Sequence, residues 1–163
     1  MVRHAKVGDI SRIAEILVFG KRVAYRPIFQ DDVGSFLKLQ VGDIIRELEE
    51  NPCLLAHILL YDDGIVKGVI NYKDYPGNGR NDEIEICDFY VEPFFKRQGI
   101  GQKLIKYACY EAKRKQKKKI YLQVIESNET ARKFYELSGF TNNYRKLPIE
   151  DTKVMTVGYE KEI

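Results

Sequence analysis

A mixed α/β fold is predicted, with a mostly antiparallel sheet of about six to seven strands flanked by about four helices. Two observations predict it. Runs rich in β-branched and aromatic residues recur at strand length, and apolar stripes at helical spacing stand between them. The alternation continues with no internal repeat, low-complexity linker or shift in composition, so a single domain over residues 1–163 is expected.

The elements follow in chain order. Val2 to Val7 reads as a short strand, after which Asp9 can cap a helix carrying Ile10, Ile13, Ile16 and Leu17 on one stripe. Val33 to Glu49 predicts a second helix, with Phe36, Leu37, Ile44, Ile45 and Leu48 as its apolar face. Leu54 to Tyr61 and Ile65 to Tyr72 are β-rich runs, and Asp62-Asp63-Gly64 between them has hairpin-turn chemistry. Pro76, Gly77, Asn78 and Gly79 predict a loop before the strand Glu83 to Val91. From Gly99 the period changes from two to about 3.6, because Ile100, Leu104, Ile105, Ala108, Cys109 and Ala112 share one helical face. Ile120 to Ile125 is the next strand. Asn128 to Ser138 is a helix that Ser127 or Asn128 can cap and Gly139 can end. Phe140 to Tyr144 and Lys153 to Tyr159 complete the sheet as an antiparallel hairpin.

Composition bounds the function. The chain has 163 residues, enough for a full core without disulfide staples. Its 27 basic and 24 acidic residues leave a net charge of +3, a mixed surface that does not demand a nucleic-acid partner. Cys53, Cys87 and Cys109 are odd in number and scattered, which argues for a reducing compartment and against a structural zinc site. The apolar runs at Ile16 to Phe19 and Leu54 to Tyr61 are too short or too polar for a signal core or a bilayer span. A soluble, cytoplasmic protein with no membrane partner is expected.

The turn at Gly99-Ile100-Gly101 stands between a strand and a helix, where free backbone N–H groups and the helix dipole make an anion site. A dinucleotide fingerprint needs a third glycine where Leu104 stands, and an acidic residue near Lys117 to Lys119. A nucleotide P-loop needs Gly-Lys-Ser/Thr, which is missing. On the residues alone, the turn can be an anion site or a plain helix cap.

A second block stands downstream. Val91-Glu92-Pro93-Phe94-Phe95-Lys96-Arg97-Gln98-Gly99-Ile100-Gly101 resembles the V-x-P-x-x-R-x-x-G-x-G segment of the GNAT superfamily of acetyl-CoA-dependent N-acyltransferases. Asn128-Glu129-Thr130-Ala131-Arg132-Lys133-Phe134-Tyr135-Glu136-Leu137-Ser138-Gly139-Phe140 resembles the same superfamily's N-x-x-A-x-x-F-Y-x-x-x-G-F. Lys96 departs from the arginine or glutamine usual there. The two motifs span Glu83 to Phe140, and the order of elements extends the likeness over most of the chain, so a GNAT-like fold is implied.

The resemblance implies a function: direct transfer of acetyl from acetyl-CoA to the primary amine of a small molecule, polyamine, peptide or protein, with no metal. Lys96, Arg97, Gln98, Gly99, Ile100, Gly101 and Gln102 would cradle the pyrophosphate of coenzyme A. Phe89, Tyr90 and Val91 would pair with the pantetheine arm, and the Val91 N–H would polarise the thioester carbonyl. Asn128, with Ala131 beside it, would be a second anchor. Tyr135 would protonate the departing thiolate, a workable pairing because tyrosine and thiol ordinarily titrate near about 10 and about 8.5. The likeness names acetyl-CoA and an amine acceptor as partners and admits a homodimer.

An amine must lose a proton before attack. Glu85 lies on the strand face of Cys87, Phe89 and Val91, at the offset from Val91 that the histone-acetylating branch uses for its glutamate. Asp88 resembles the acidic neighbourhood of polyamine-acetylating members. Tyr25, Arg26 and Phe29, between the first two helices, can wall the acceptor site or form a packed corner. His4 and His57 have no visible catalytic or metal partners and read as structural. Lys113 to Lys119 reads as a solvated helix end. Two alternatives remain: a nucleic-acid module using that basic run, and an inactive acyl-CoA-binding regulator.

Overall fold

The computed structural model describes residues 1–74 and 82–163, so the loop expected at Pro76, Gly77, Asn78 and Gly79 lies outside the described residues. The strands are β1 (Val2–His4), β2 (Ile58–Asp62), β3 (Val66–Asp74), β4 (Glu83–Val91), β5 (Lys119–Ile125), β6 (Thr141–Pro148) and β7 (Met155–Glu162). The α-helices are α1 (Ile10–Phe29), α2 (Val41–Glu50), α3 (Ile100–Arg114) and α4 (Glu129–Leu137). The strand order is β1-β2-β3-β4-β5-β7-β6. The β1/β2, β2/β3, β5/β7 and β6/β7 pairs are antiparallel and β4/β5 is parallel, the mixed sheet that the alternating patterns predict.

The chain forms two compact units. The first holds Met1–Asn71 and Asp88–Tyr107. Its core joins the α1 stripe of Ile10, Ile13, Ile16 and Leu17 to Leu48, Leu55, Ile58, Leu60, Val66 and Val69. The Asp62-Asp63-Gly64 turn is as expected: the Gly64 N–H donates to the Asp62 carboxylate at 2.9 Å, and Gly64 has φ of 109°. Gly68 lets α3 lie against β3. A Cβ there would stand 2.9 Å from Leu104 Cδ1 and 3.2 Å from Ile100 Cγ2. We expect Gly68→Val to lower stability by about 1–3 kcal/mol, an overpacking cost, with no change in the slope of a urea unfolding curve.

Several boundaries differ from the sequence expectation. The strand expected over Val2 to Val7 stops at His4 and a 3₁₀ turn follows at Val7–Asp9. Asp9 does not cap α1 with its side chain; the carboxylate accepts from Lys6 N–H at 2.8 Å and from Arg3, which also binds Asp62, at 2.7 Å each. The hydrogen bonds from Arg3 hold both carboxyls below the usual carboxylate range. The single helix expected over Val33 to Glu49 is broken into a π-helical stretch, Val33–Lys38, and α2. Arg22 reaches the carbonyls of Ser35 (2.8 Å) and Leu39 (2.9 Å), and Leu39 and Gln40 are extended, which interrupts the ladder. Phe36 and Leu37, expected on the apolar face, are consequently 52% and 70% exposed. Residues Pro52–His57 form a 3₁₀ helix rather than the start of a strand, as a proline at the first position favours. Tyr25, Arg26 and Phe29 do not lie between helices: α1 runs through Pro27 and ends at Phe29, where left-handed Gln30 donates to Arg26 O at 2.9 Å.

The second unit holds Tyr72–Cys87 and Ala108–Ile163. Parallel pairing runs from Glu83 opposite Lys119 to Ile86 opposite Leu122, and β7 covers all of β5 from the other side. Ile84, Ile120, Leu122, Val157 and Tyr159 are buried. The hairpin expected at the C-terminus is present as β6 and β7, with a register shift between Asn142 and Lys146 at left-handed Tyr144. Among the described residues, no helix is long and apolar enough to cross a membrane.

Candidate functional site

In the first unit, the end of β4 runs into a tight turn before α3. Glu92 donates its N–H to Lys67 O at 2.9 Å and buries its carboxylate on Arg12 at 3.0 Å. Pro93–Phe95 then make one 3₁₀ turn, closed by Phe95 N–H to Glu92 O at 2.9 Å. Lys96 is extended, Arg97 is left-handed at φ 61° and Gly99 at φ 74°. Left-handed geometry costs a non-glycine residue about 1–2 kcal/mol, so Arg97 is held there by the turn around it.

The first helical bond of α3 is Lys103 N–H to Gly99 O at 3.1 Å, so the amides of Ile100 and Gly101 precede it and point out of the helix start. A Cβ added at Gly99 would meet nothing within 4 Å, so the turn is open on that side. Lys96, Arg97 and Gln98 are exposed around it, while Ile100 and Leu104 anchor the helix in the core. The turn suits a phosphoryl anion.

A polar cluster stands three residues before the end of β4. The carboxylate of Asp88 is 2.9 Å from the Lys21 ammonium and accepts from the Asn71 amide at 3.1 Å. Tyr90 follows two residues later, so it shares the strand face of Asp88. Its hydroxyl donates to the Tyr25 hydroxyl at 2.8 Å, with the rings edge to face at 6.5 Å. Gly20 makes room for that ring, since a Cβ there would stand 2.5 Å from Tyr90 Cδ1. Phe29 packs edge-on against Tyr25 at 5.9 Å. Arg26 turns away to an exposed ion pair with Asp32 at 2.8 Å. The structure thus brings Tyr25, Phe29, Asp88 and Tyr90 together and leaves Arg26 outside.

Sequence reasoning missed Lys21 and Asn71. The signal for Lys21 was available, because Ile10, Ala14, Leu17, Lys21 and Tyr25 fall on one helical stripe. A charge on a stripe that is otherwise core requires a partner.

Most of the remaining candidates lie in the second unit. Glu85 sits inside the β4/β5 pairing, opposite Tyr121, and pairs with Lys73 at 3.2 Å. Phe89 and Val91, on β4 in the first unit, are half-buried. Asn128 caps α4: its side-chain oxygen accepts from Ala131 N–H at 3.1 Å, and its own N–H donates to Ile125 O. Gly139, at φ 82°, ends the helix as expected. Tyr135 is buried among Phe134, Phe140 and Tyr159, with centroids 5.5, 5.7 and 6.3 Å away. Burial pushes the nearby Tyr159 phenol up; its hydroxyl donates to Glu136 at 2.6 Å.

Lys117, Lys118 and Lys119 pair with Asp74, Asp82 and Glu160 at 2.8, 3.2 and 3.3 Å. These cations of the basic run are therefore already matched within the chain. Among the described residues, no group of three or more His, Cys, Asp or Glu is placed to hold a metal ion.

The sequence and the fold have counterparts among known proteins. The chain is 31% identical over 146 residues to thialysine N-epsilon-acetyltransferase of Bos taurus, covering 85% of this chain and 82% of that protein. It is 28% identical over 100 residues to a Bacillus subtilis subsp. natto protein named probable spermine N(1)-acetyltransferase, covering 59% of this chain and 65% of the other. The fold matches the PaiA N-acetyltransferase of Thermoplasma acidophilum, solved in complex with coenzyme A, with a TM-score of 0.73 at 20% identity, over 100% of this chain and 98% of that one. The model of the acetyltransferase (GNAT) family matches residues 21–140. The chain belongs to the acetyltransferase (GNAT) family.

Proposed function

We propose that this acetyltransferase passes the acetyl group of acetyl-CoA directly to the primary amine of a small aliphatic amine. The observation that carries the reading is the turn before α3. There, left-handed Arg97 and Gly99 lead into a helix start whose first-turn amides lack helical partners, open beside Gly99 and flanked by exposed Lys96 and Arg97. A pyrophosphate supplies the anion such a turn suits. The names of the two relatives, which both describe amine acetylation, support the acceptor class.

The roles follow from the chemistry. Residues 96–102 hold the pyrophosphate, and the backbone of Phe89, Tyr90 and Val91 pairs with the pantetheine amides as an added strand would. The Val91 N–H polarises the thioester carbonyl, where negative charge builds as the amine nitrogen attacks carbon. The C–S bond then breaks and Tyr135 gives its hydroxyl proton to the departing thiolate, while the proton that the amine nitrogen sheds passes to the Asp88 carboxylate. Asn128 has its side-chain oxygen committed to the cap, which leaves its NH₂ as the group that can meet the cofactor.

Asp88 is the carboxylate that meets the amine. It lies beyond Ile86, the last residue of β4 that pairs with β5, whereas Glu85 sits within that pairing. The test is incubation with acetyl-CoA and a panel of aliphatic amines, followed by mass spectrometry. We expect at least one amine to gain a single acetyl group; a panel without acetylated product would overturn the reading.

A further inference from the structure

The Lys21 and Asp88 pair has an unusual setting. Lys21 stands on the α1 stripe of Ile10, Ala14 and Leu17, and Asp88 on the β4 face of Ile84, Ile86 and Tyr90. Each charge thus faces away from where solvation is best, with side chains 26% and 16% exposed. A pair so placed is a poor stabiliser, because desolvation offsets most of its attraction. What the contact holds is a primary alkylammonium, 2.9 Å from a carboxylate that an amide braces at 3.1 Å. One helical turn on from Lys21 and two residues on from Asp88, the joined phenols of Tyr25 and Tyr90 add aromatic surface of the kind that alkylammonium groups favour.

We propose that Asp88 is the seat of the acceptor's ammonium and that Lys21 fills this seat in the free protein, so that the acceptor enters by exchange with a group of its own kind. This rests on the reading of the chain as an amine acetyltransferase. The exchange conserves charge: one alkylammonium leaves the carboxylate for solvent as another arrives, so neither state buries an unpaired Asp88. Two consequences follow for specificity. A substrate must arrive as a cation to displace Lys21, which disfavours amines that are neutral at working pH. Lys21 also weakens every acceptor by the same factor, because each must compete with it.

Calorimetric titration of the whole protein with butane-1,4-diamine, without acetyl-CoA, tests the exchange. Lys21→Met should bind the diamine about two- to fivefold more tightly than the unmodified protein, the range that a modest ion pair supplies. Lys21→Arg keeps the competing cation and should bind as the unmodified protein does. Asp88→Asn should lose the binding. In turnover with the same diamine, Lys21→Met should lower the KM for the amine and leave that for acetyl-CoA unchanged. A Lys21→Met protein that binds the diamine no more tightly, or a diamine that binds none of the proteins, overturns the inference. Lys21→Gln, which keeps the length and polarity of the side chain, supplies the same comparison should Lys21→Met fold poorly. Absence of any acetylated amine, with the binding order intact, would count against the transferase reading alone.

Discussion

Gly99→Asp is expected to abolish coenzyme A binding, raising Kd by about 100-fold or more as measured by calorimetry. Two effects act at this position and their magnitudes separate them. Gly99 has φ of 74°, so any side chain there strains the turn by about 1–2 kcal/mol. That strain acts on the folded protein with or without ligand, so most of it appears as lost stability. The carboxylate acts on the ligand itself. Two like charges 4 Å apart repel by about 4 kcal/mol at an effective dielectric near 20, which is on the order of 1,000-fold in affinity for each phosphate charge faced.

Gly99→Ala separates the two effects. Its Cβ meets nothing within 4 Å, so it carries the strain without the charge and should weaken binding less than about tenfold. Coenzyme A bound tightly by Gly99→Asp would show that the pyrophosphate does not sit at this turn.

Tyr135→Phe is expected to lower kcat by about 10- to 100-fold with little change in affinity for acetyl-CoA, because water can partly replace the lost general acid. The substitution is clean in structural terms. Tyr135 packs through its ring against Phe134, Phe140 and Tyr159, and phenylalanine keeps that ring in place. A fall in kcat therefore reports the hydroxyl and not a collapsed core. An amine that is more reactive should be less impaired if attack limits the rate, and equally impaired if thiolate departure does. An unchanged kcat would remove Tyr135 from the mechanism.

Much of the fold was legible in the sequence where local pattern and tertiary role agree. Strand β4 matches its expected span, Glu83 to Val91, because alternating Ile84 and Ile86 go to the core. Helix α3 begins one residue after Gly99, and Ile100, Leu104, Ile105, Ala108 and Ala112 are all buried as their spacing predicts. Asn128 caps α4 as its residue type predicts.

The misses arose where a distant side chain decided the backbone. The guanidinium of Arg22, bound to Ser35 and Leu39 carbonyls, breaks the segment that periodicity reads as one helix. The segment Tyr25 to Phe29, expected between two helices, is the end of α1, which runs through Pro27, so Tyr25 and Phe29 ride on a helix beside Tyr90 and not on a loop.

The candidate site was legible to the same extent. Its glycine turn and its α4 motif are local in sequence. The Lys21, Asn71 and Asp88 cluster joins a helix and two strands through side chains. Such a cluster leaves no spaced motif, only a charge on an apolar stripe.

Turnover of acetyl-CoA onto an amine separates an enzyme from a protein that only holds the cofactor. Its most direct test is the rate of free thiol release from acetyl-CoA by the whole protein, with and without an aliphatic amine. We expect release that requires the amine, saturates with its concentration and yields one thiol for each amide formed. Acetyl-CoA binding accompanied by no amine-dependent thiol would contradict it and leave a protein that holds the cofactor without using it.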